Sequence, residues 1–348
     1  MRYPSIKYLL PYTVIPLAFL SFASGGLWSY SIPVYTFVLI PIIDVVLPKD
    51  TYNFNEEEKK SANSNMLYSY ILYGLVPLQY IFLFLFLEGV TNPECTIFEI
   101  IGMTLGMGII SGNLVNLAHE LGHRKNRFKQ FLAKVSLMQI LMMDFFIYHN
   151  NVHHKWVATE KDPASAKKGD NFYVFLFKDI FGSASAAWNV EARRLYRKGH
   201  SSFSWANQVL QYYLCEFIFL ALVTWFFAWQ GLVFTLICSF FAHFVLSQLN
   251  FIQHYGLRRK LKENGNYERP NLGHSWNSPS FWSSAMLFTL PRHSDHHFKS
   301  SIPYQTLTQY EDSPHHPYGY PTMMILCLIP PLWFKIMDPI LEKRAALT

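Results

Sequence analysis

Six runs of apolar residues, near 8–26, 30–48, 66–88, 97–118, 211–229 and 231–252, alternate with polar stretches along the chain. A helix needs roughly 20 residues to cross about 30 Å of hydrocarbon, so each run predicts a membrane span. A seventh run, 131–147, is apolar but carries Lys134, Gln139 and Asp144. A full crossing there would leave His149 on the opposite face from His123, so a tilted or re-entrant helix that does not span is expected. Residues 281–290 and 321–336 are shorter and are expected to lie at the membrane surface or against the site. The predicted fold is an all-α integral membrane protein of six transmembrane helices, one domain over 1–348, with a histidine-rich layer (119–205 and 253–340) at one end. Residues 49–65 form a charged connector on that same side.

The connections sort by charge. Ser24–Ser29, Glu88–Glu94 and Ala228–Gly231 hold no Lys or Arg, whereas the other face receives Arg2, Lys7, Lys59, Lys60, Arg124, Lys125, Arg193, Arg194, Arg197, Lys198 and Arg258–Lys260. By the positive-inside rule both termini and the histidine layer are cytoplasmic. This distribution accounts for the +6 net charge, so no nucleic-acid partner is inferred. A chain 51% hydrophobic and 15% charged has a membrane composition,. Its N-terminal run has no convincing small-residue cleavage site and is taken as a mature span. Cys95, Cys215, Cys238 and Cys327 form no C-x-x-C pair and are expected to be buried small hydrophobes,.

Histidine is where the candidate chemistry lies. Nine of these residues fall in four groups: His119 and His123; His149, His153 and His154; His254; and His293, His296 and His297. Neutral imidazole is the commonest protein metal ligand. Asn113, Asn116, His119 and His123 share one helix face, and His119 and His123, four apart, are placed to ligate together. The second and fourth groups each present a pair three or four residues apart plus an adjacent ring. That adjacent ring is rotated by about 100° and can reach a second metal. His243, Ser247, Asn250 and His254 form a polar stripe, with His243 some three turns deeper and expected to hydrogen-bond a neighbouring helix or line a cavity. His200, His274, His315 and His316 stand alone and are read as satisfied surface or capping residues. The ligand set contains no thiolate and suits zinc, copper, iron or nickel. HELGH is also the zinc metalloprotease signature, with Glu120 as general base. A protease site needs only three protein ligands and an open position, which four groups exceed. A non-catalytic metal scaffold is the third alternative.

The sequence resembles the membrane-bound alkane 1-monooxygenase (AlkB-type) family of the fatty acid desaturase–hydroxylase superfamily. The likeness runs from about residue 30 to 340. It is carried by HELGHR at His119–Arg124, HNNVHHKWVATEKDPASA at His149–Ala166, NFIQHYGL at Asn250–Leu257, HSWNS at His274–Ser278 and RHSDHH at Arg292–His297. The resemblance implies that the nine grouped histidines are the catalytic metal ligands of a nonheme diiron centre, with O2 as co-substrate. It implies hydroxylation of a terminal methyl on an alkane or alkyl chain. Electrons would come from NADH or NADPH through a reductase and a separate rubredoxin or ferredoxin docking on the basic face. The setting implied is a bacterial inner membrane. Desaturation, or hydroxylation of fatty acyl or alkylaromatic substrates, is the alternative outcome at the same site. Glu120, Asp162 and Asp295 are candidates to accept the outer ring N–H of ligand histidines, and Thr36 is a candidate wall residue of the substrate tunnel. Family members commonly have Glu where this chain has Tyr148 and Gln253, so hydrogen bonding around the metals is expected to differ here.

Overall fold

The computed structural model describes residues 5–346, and Arg2 of the charge pattern lies outside them. Among the described residues the β pairings are two isolated bridges, Leu261 with Tyr267 and Asn277 with His315; the rest is helix and loop. Five helical runs are long and apolar enough to cross a membrane: α1 (Ile6–Ala23), α2 (Gly26–Val46), α3 (Leu67–Thr91), α4 (Ile97–Gly122) and the run Gln208–His254. Between the last two lie α5 (Arg127–Gln139) and α6 (Phe172–Tyr196), and Gln208–His254 is α7.

The last run covers both apolar stretches expected at 211–229 and 231–252. It is 47 residues long, which as a straight helix would extend roughly 70 Å. It does not. The backbone leaves helical geometry at Phe227 and Ala228, with Ala228 at φ 53°. Met143 N donates to Glu216 Oε1 (2.7 Å) and Ser239 Oγ donates to the Ile140 carbonyl (2.6 Å). Glu216 and Ser239 therefore reach neighbouring positions of one segment, so α7 is a helical hairpin. The apolar stretch at 131–147 holds no helix long enough to cross a bilayer,. α5 stops at Gln139, 13 residues in all, and Leu141 at φ 51° turns the chain back toward the histidines.

α4 is the central helix, buried along most of its length. Its first turn is fixed by a capping box, Thr96 Oγ1 accepting from Glu99 N and Glu99 Oε2 accepting from Thr96 N,. Glu99 Oε1 also accepts from Gly26 N (2.6 Å), which ties the α1–α2 turn to it. Glycines let two neighbours approach closely, as small residues do in membrane bundles. A Cβ at Gly102 would lie 2.6 Å from Ser29 Oγ. One at Gly108 would lie 2.6 Å from Phe241 Cγ, and one at Gly112 would lie 2.5 Å from Val245 Cγ1. Gly112→Ala should therefore destabilise the protein by about 1–3 kcal/mol, by prying α7 from α4. Thermal unfolding in detergent reads this, and an unchanged Tm would show that the contact yields freely.

Cys238 and Cys327 are buried and Cys95 is half-buried, but Cys215 is exposed, contrary to the expectation of four interior thiols. Lipid-facing positions are as apolar as core ones, so hydropathy does not separate them. The solitary histidines are also not all at the surface. His274 is buried beside Glu268 (3.2 Å), and His316 is buried with Nε2 donating to the Ile252 carbonyl (2.9 Å).

Candidate metal centre

The four histidine groups converge at one end of the bundle. His119 and His123 close α4, His254 closes α7, and short helices carry the rest: a π-helix at His149–His153 and an α-helix at His293–Phe298. Their nitrogens form two sets. His119, His123, His149, His154 and His296 make one, and His153, His254, His293 and His297 make the other; within each set the ligand atoms lie within 4.8 Å of one another.

This partition differs from a reading based on 3.6 residues per turn, which would group His149 with His153. Instead His149 shares a set with His154, five residues on, because the backbone is π-helical there and His154 N donates to the His149 carbonyl. Such single π-turns recur at functional sites. In the fourth group His293 joins His297, and His296 crosses to the other set. Neither set contains a carboxylate.

The packing of nitrogens tests whether a cation fits. In the five-membered set, Nε2···Nε2 separations are 2.9 Å (His119–His296), 3.2 Å (His119–His123), 3.0 Å (His123–His149), 3.1 Å (His123–His154), 2.9 Å (His149–His154) and 3.2 Å (His154–His296). A neutral imidazole nitrogen has either one hydrogen or one lone pair. His123 and His154 each face three others, which hydrogen bonding cannot satisfy. A shared cation satisfies all of them. With metal–nitrogen bonds of about 2.1 Å, ligands at right angles lie about 3.0 Å apart and tetrahedral ones about 3.4 Å. The observed spacing fits the first, and five ligands exceed a tetrahedral zinc site. The second set is similar where measured, 3.2 Å for His254–His293 and 3.0 Å for His293–His297. Burial, then neighbouring rings, holds His123, His149, His154, His293, His296 and His297 well below the usual imidazole range, in the neutral form that ligates,.

Of the three carboxylates expected beside ligand rings, one is there. Asp162 Oδ2 accepts from His153 Nδ1 (2.9 Å) and Ser165 Oγ (2.6 Å), and its Oδ1 accepts from Tyr148 Oη (2.6 Å). Burial works to raise this carboxyl, but His153, with Ser165 and Tyr148, brings it down to about 2. Glu120 instead pairs with Arg124 and accepts from Tyr304 N (3.4 Å). Asp295 accepts from Thr308 N (2.7 Å). Each follows a ligand by one or two residues on a helix and so is turned off the ligand face. With Glu120 engaged by Arg124, the general base of a HELGH protease is not presented to the site. His293 Nδ1 and His297 Nδ1 make no hydrogen bond.

Several contacts had no signal in spacing. Tyr148, noted only as a departure, is the third side-chain donor to Asp162. Buried Asp179 on α6 accepts from Ser247 Oγ (2.8 Å) and Asn250 Nδ2 (2.9 Å), which explains that polar stripe. His243 does line a cavity, with Asp144, Asp179 and Tyr213, but its hydrogen bond goes to its own helix, to the Ser239 carbonyl (3.0 Å). Other motif residues brace the site. Arg292 donates to the carbonyls of Leu307 (2.6 Å) and Tyr52 (2.9 Å), Tyr255 Oη donates to Asp338 (2.8 Å), and Trp276 Nε1 donates to the Tyr255 carbonyl (2.8 Å).

Two cavities lie between the rings and the bundle interior. A small one touches His119, His149, His153 and His293 with Asn250 and Gln253. An apolar cavity of about 110 Å³ lies deeper among α1–α4 and α7, and Thr36 is on its wall. The two share Leu249.

The fatty acid desaturase family model matches residues 97–323, the segment that carries all nine rings. Alkane 1-monooxygenase from Acinetobacter baylyi is 35% identical over 317 residues, 91% of this chain and 76% of that protein. Alkane 1-monooxygenase from Pseudomonas putida is 36% identical over 301 residues, 86% of this chain and 75% of its own length. The xylene/toluene monooxygenase hydroxylase component XylM of Pseudomonas putida is more distant, 27% identical over 96% of this chain and 88% of that protein. The chain thus belongs to the fatty acid desaturase family and, within it, to the alkane 1-monooxygenases.

Proposed function

We propose that this protein is a diiron monooxygenase that hydroxylates the terminal methyl of an alkane or alkyl chain to a primary alcohol. The observation that carries the reading is the pair of all-histidine nitrogen sets, five and four, touched by a small cavity that shares Leu249 with an apolar one. In this reading His119, His123, His149, His154 and His296 hold one iron, and His153, His254, His293 and His297 hold the other. Bound iron supplies the activation of O2 that an unactivated C–H bond requires, since such a bond offers no handle for acid–base chemistry.

The chain's own residues position the reactants and exclude water. Asp162 keeps the proton of His153 on Nδ1 and so leaves Nε2 free to ligate. The cavity wall, apart from Thr36, Gln79, Asn113, Ser283 and Tyr320, is built of hydrocarbon and methionine side chains and prolines. It takes an alkyl chain out of the bilayer and aims its end past Leu249 toward the rings. Thr36 lines the run where a chain would lie, and its small size leaves room there. Thr36→Trp is expected to cut turnover of the longest accepted alkanes about tenfold or more while sparing short ones. An unchanged length profile by gas chromatography would remove Thr36 from the tunnel wall.

With α7 folded as a hairpin, the five apolar runs make six crossings, and both termini and the metal layer face the cytoplasm. Electrons then arrive from a rubredoxin or ferredoxin with its NAD(P)H-dependent reductase, docking on the basic face around Arg193, Arg197 and Lys198. The test is metal content of the detergent-purified protein together with octane hydroxylation driven by rubredoxin and its reductase. About two irons per chain and O2-dependent octanol are expected. One zinc, no iron and no alcohol would overturn the reading.

A further inference from the structure

Alkane oxidation leaves one feature of the apolar cavity without a role. Gln79, on α3, lines the cavity and is fully buried, and neither its Nε2 nor its Oε1 has a hydrogen-bond partner. The adjacent Tyr80 hydroxyl approaches the Gln79 amide without hydrogen-bond geometry and donates to the Val135 carbonyl (2.6 Å), and Gln139 Nε2 reaches the Gln79 backbone carbonyl (3.3 Å), not its side chain. An unpaired amide in a membrane interior is costly, and a leucine would fill the same space without that cost.

Its position relative to the metals is fixed by the α3–α4 turn. Gln79 lies twelve residues before Thr91, the end of α3, and Ile109 lies twelve residues after Ile97, the start of α4. The two are therefore level, and both line the cavity. His119 is ten residues further along α4, roughly 15 Å toward the site at 1.5 Å per residue. A chain with its methyl at the rings would thus bring its other end, or its middle, to Gln79.

We infer that Gln79 recognises an uncharged oxygen function on the substrate, a hydroxyl or ester carbonyl held distal to the methyl being oxidised. This rests on the terminal-oxidation reading above and adds to its alkane substrates alkyl chains already oxygenated at the other end. A glutamine amide offers both a donor and an acceptor, which an alcohol matches fully and an ester accepts from. A carboxylate is excluded, because the cavity lining has no Lys, Arg or His to neutralise it,. The reaction is unchanged in balance. One atom of O2 enters the far C–H bond, and the other leaves as water with two electrons and two protons supplied through the donor.

Two readouts test this on the iron-loaded protein in detergent, one without turnover. With no electron donor present, 1-dodecanol should raise Tm more than dodecane, and Gln79→Leu should abolish that difference. With the donor present, the product of 1-dodecanol should be the α,ω-diol, and Gln79→Leu should lower the alcohol-to-alkane ratio of kcat/KM about fivefold. Gln79→Met serves the same purpose if the leucine variant folds poorly. If both the Tm difference and the kcat/KM ratio survive in these variants, the inference is overturned, and the amide serves only the α3–α5 contact. If iron is bound and neither chain is hydroxylated, the terminal-oxidation reading fails, while the Tm comparison still decides whether Gln79 binds the hydroxyl.

Discussion

His123→Ala should leave about one iron per chain where the proposed diiron centre holds about two, and should abolish hydroxylation. The reason is its position in the five-nitrogen set. His123 Nε2 lies 3.2 Å from His119, 3.0 Å from His149 and 3.1 Å from His154, so it shares an edge with three other ligands. Removing it opens the set where its members from α4 and the π-helix meet. The four-membered set contains none of those rings and is expected to keep its ion. The activity loss should exceed the roughly 100-fold typical of losing an outer hydrogen-bond partner, since a direct ligand is gone. His243→Gln is the control. His243 is a histidine of the same bundle, but it bonds Ser239 and belongs to neither set, so its iron content should be native. Iron counts by elemental analysis decide between these outcomes. Two irons retained in His123→Ala would show that the five rings do not form one site.

Some of this site was legible in the chain and some was not, for reasons that particular residues make plain. His119 and His123 are four apart on a regular helix, and the structure places them in one set as the α-helical period requires. His149 and His153 are also four apart and are separated, because the chain is π-helical there. Nothing in HNNVHH announces the extra residue per turn. The carboxylates divide in the same manner. Asp162 sits in a loop free to wrap back onto His153, while Glu120 and Asp295 are carried by the helices that hold the ligands and face away from them. Apolar runs identified the long helices fit to cross a bilayer, since that depends on length and hydropathy alone,. They did not identify α6, whose role is set by buried Asp179 contacting Ser247 and Asn250 across a bundle interface. Long-range pairing of that kind has no local periodicity.

Asp162→Ala tests the one outer partner that both the motif and the geometry single out, and it should act on the metal and on the fold together. The side chain is buried and accepts from three side-chain donors: His153 Nδ1, Tyr148 Oη and Ser165 Oγ. Alanine strands all three in the interior. Each unsatisfied buried donor costs about 1–3 kcal/mol, and some will find other partners, so a loss of about 3 kcal/mol or more is expected. Ser165 Oγ also accepts from Ala158 N (2.8 Å), so the DPAS loop should loosen with it. At the metal, His153 would lose the contact that fixes its tautomer, and affinity of the four-nitrogen set should fall about 10–100-fold. Asp162→Asn separates the two effects. Its carbonyl can still accept one bond, so it should recover part of the stability, while the charge that favours the Nδ1–H tautomer is lost. Chelator titration followed by thermal unfolding of both variants reads the two quantities independently. If Asp162→Asn matches the native protein in iron retention, the carboxylate braces the loop alone, and the orientation of His153 is set by packing against Tyr148 and His254.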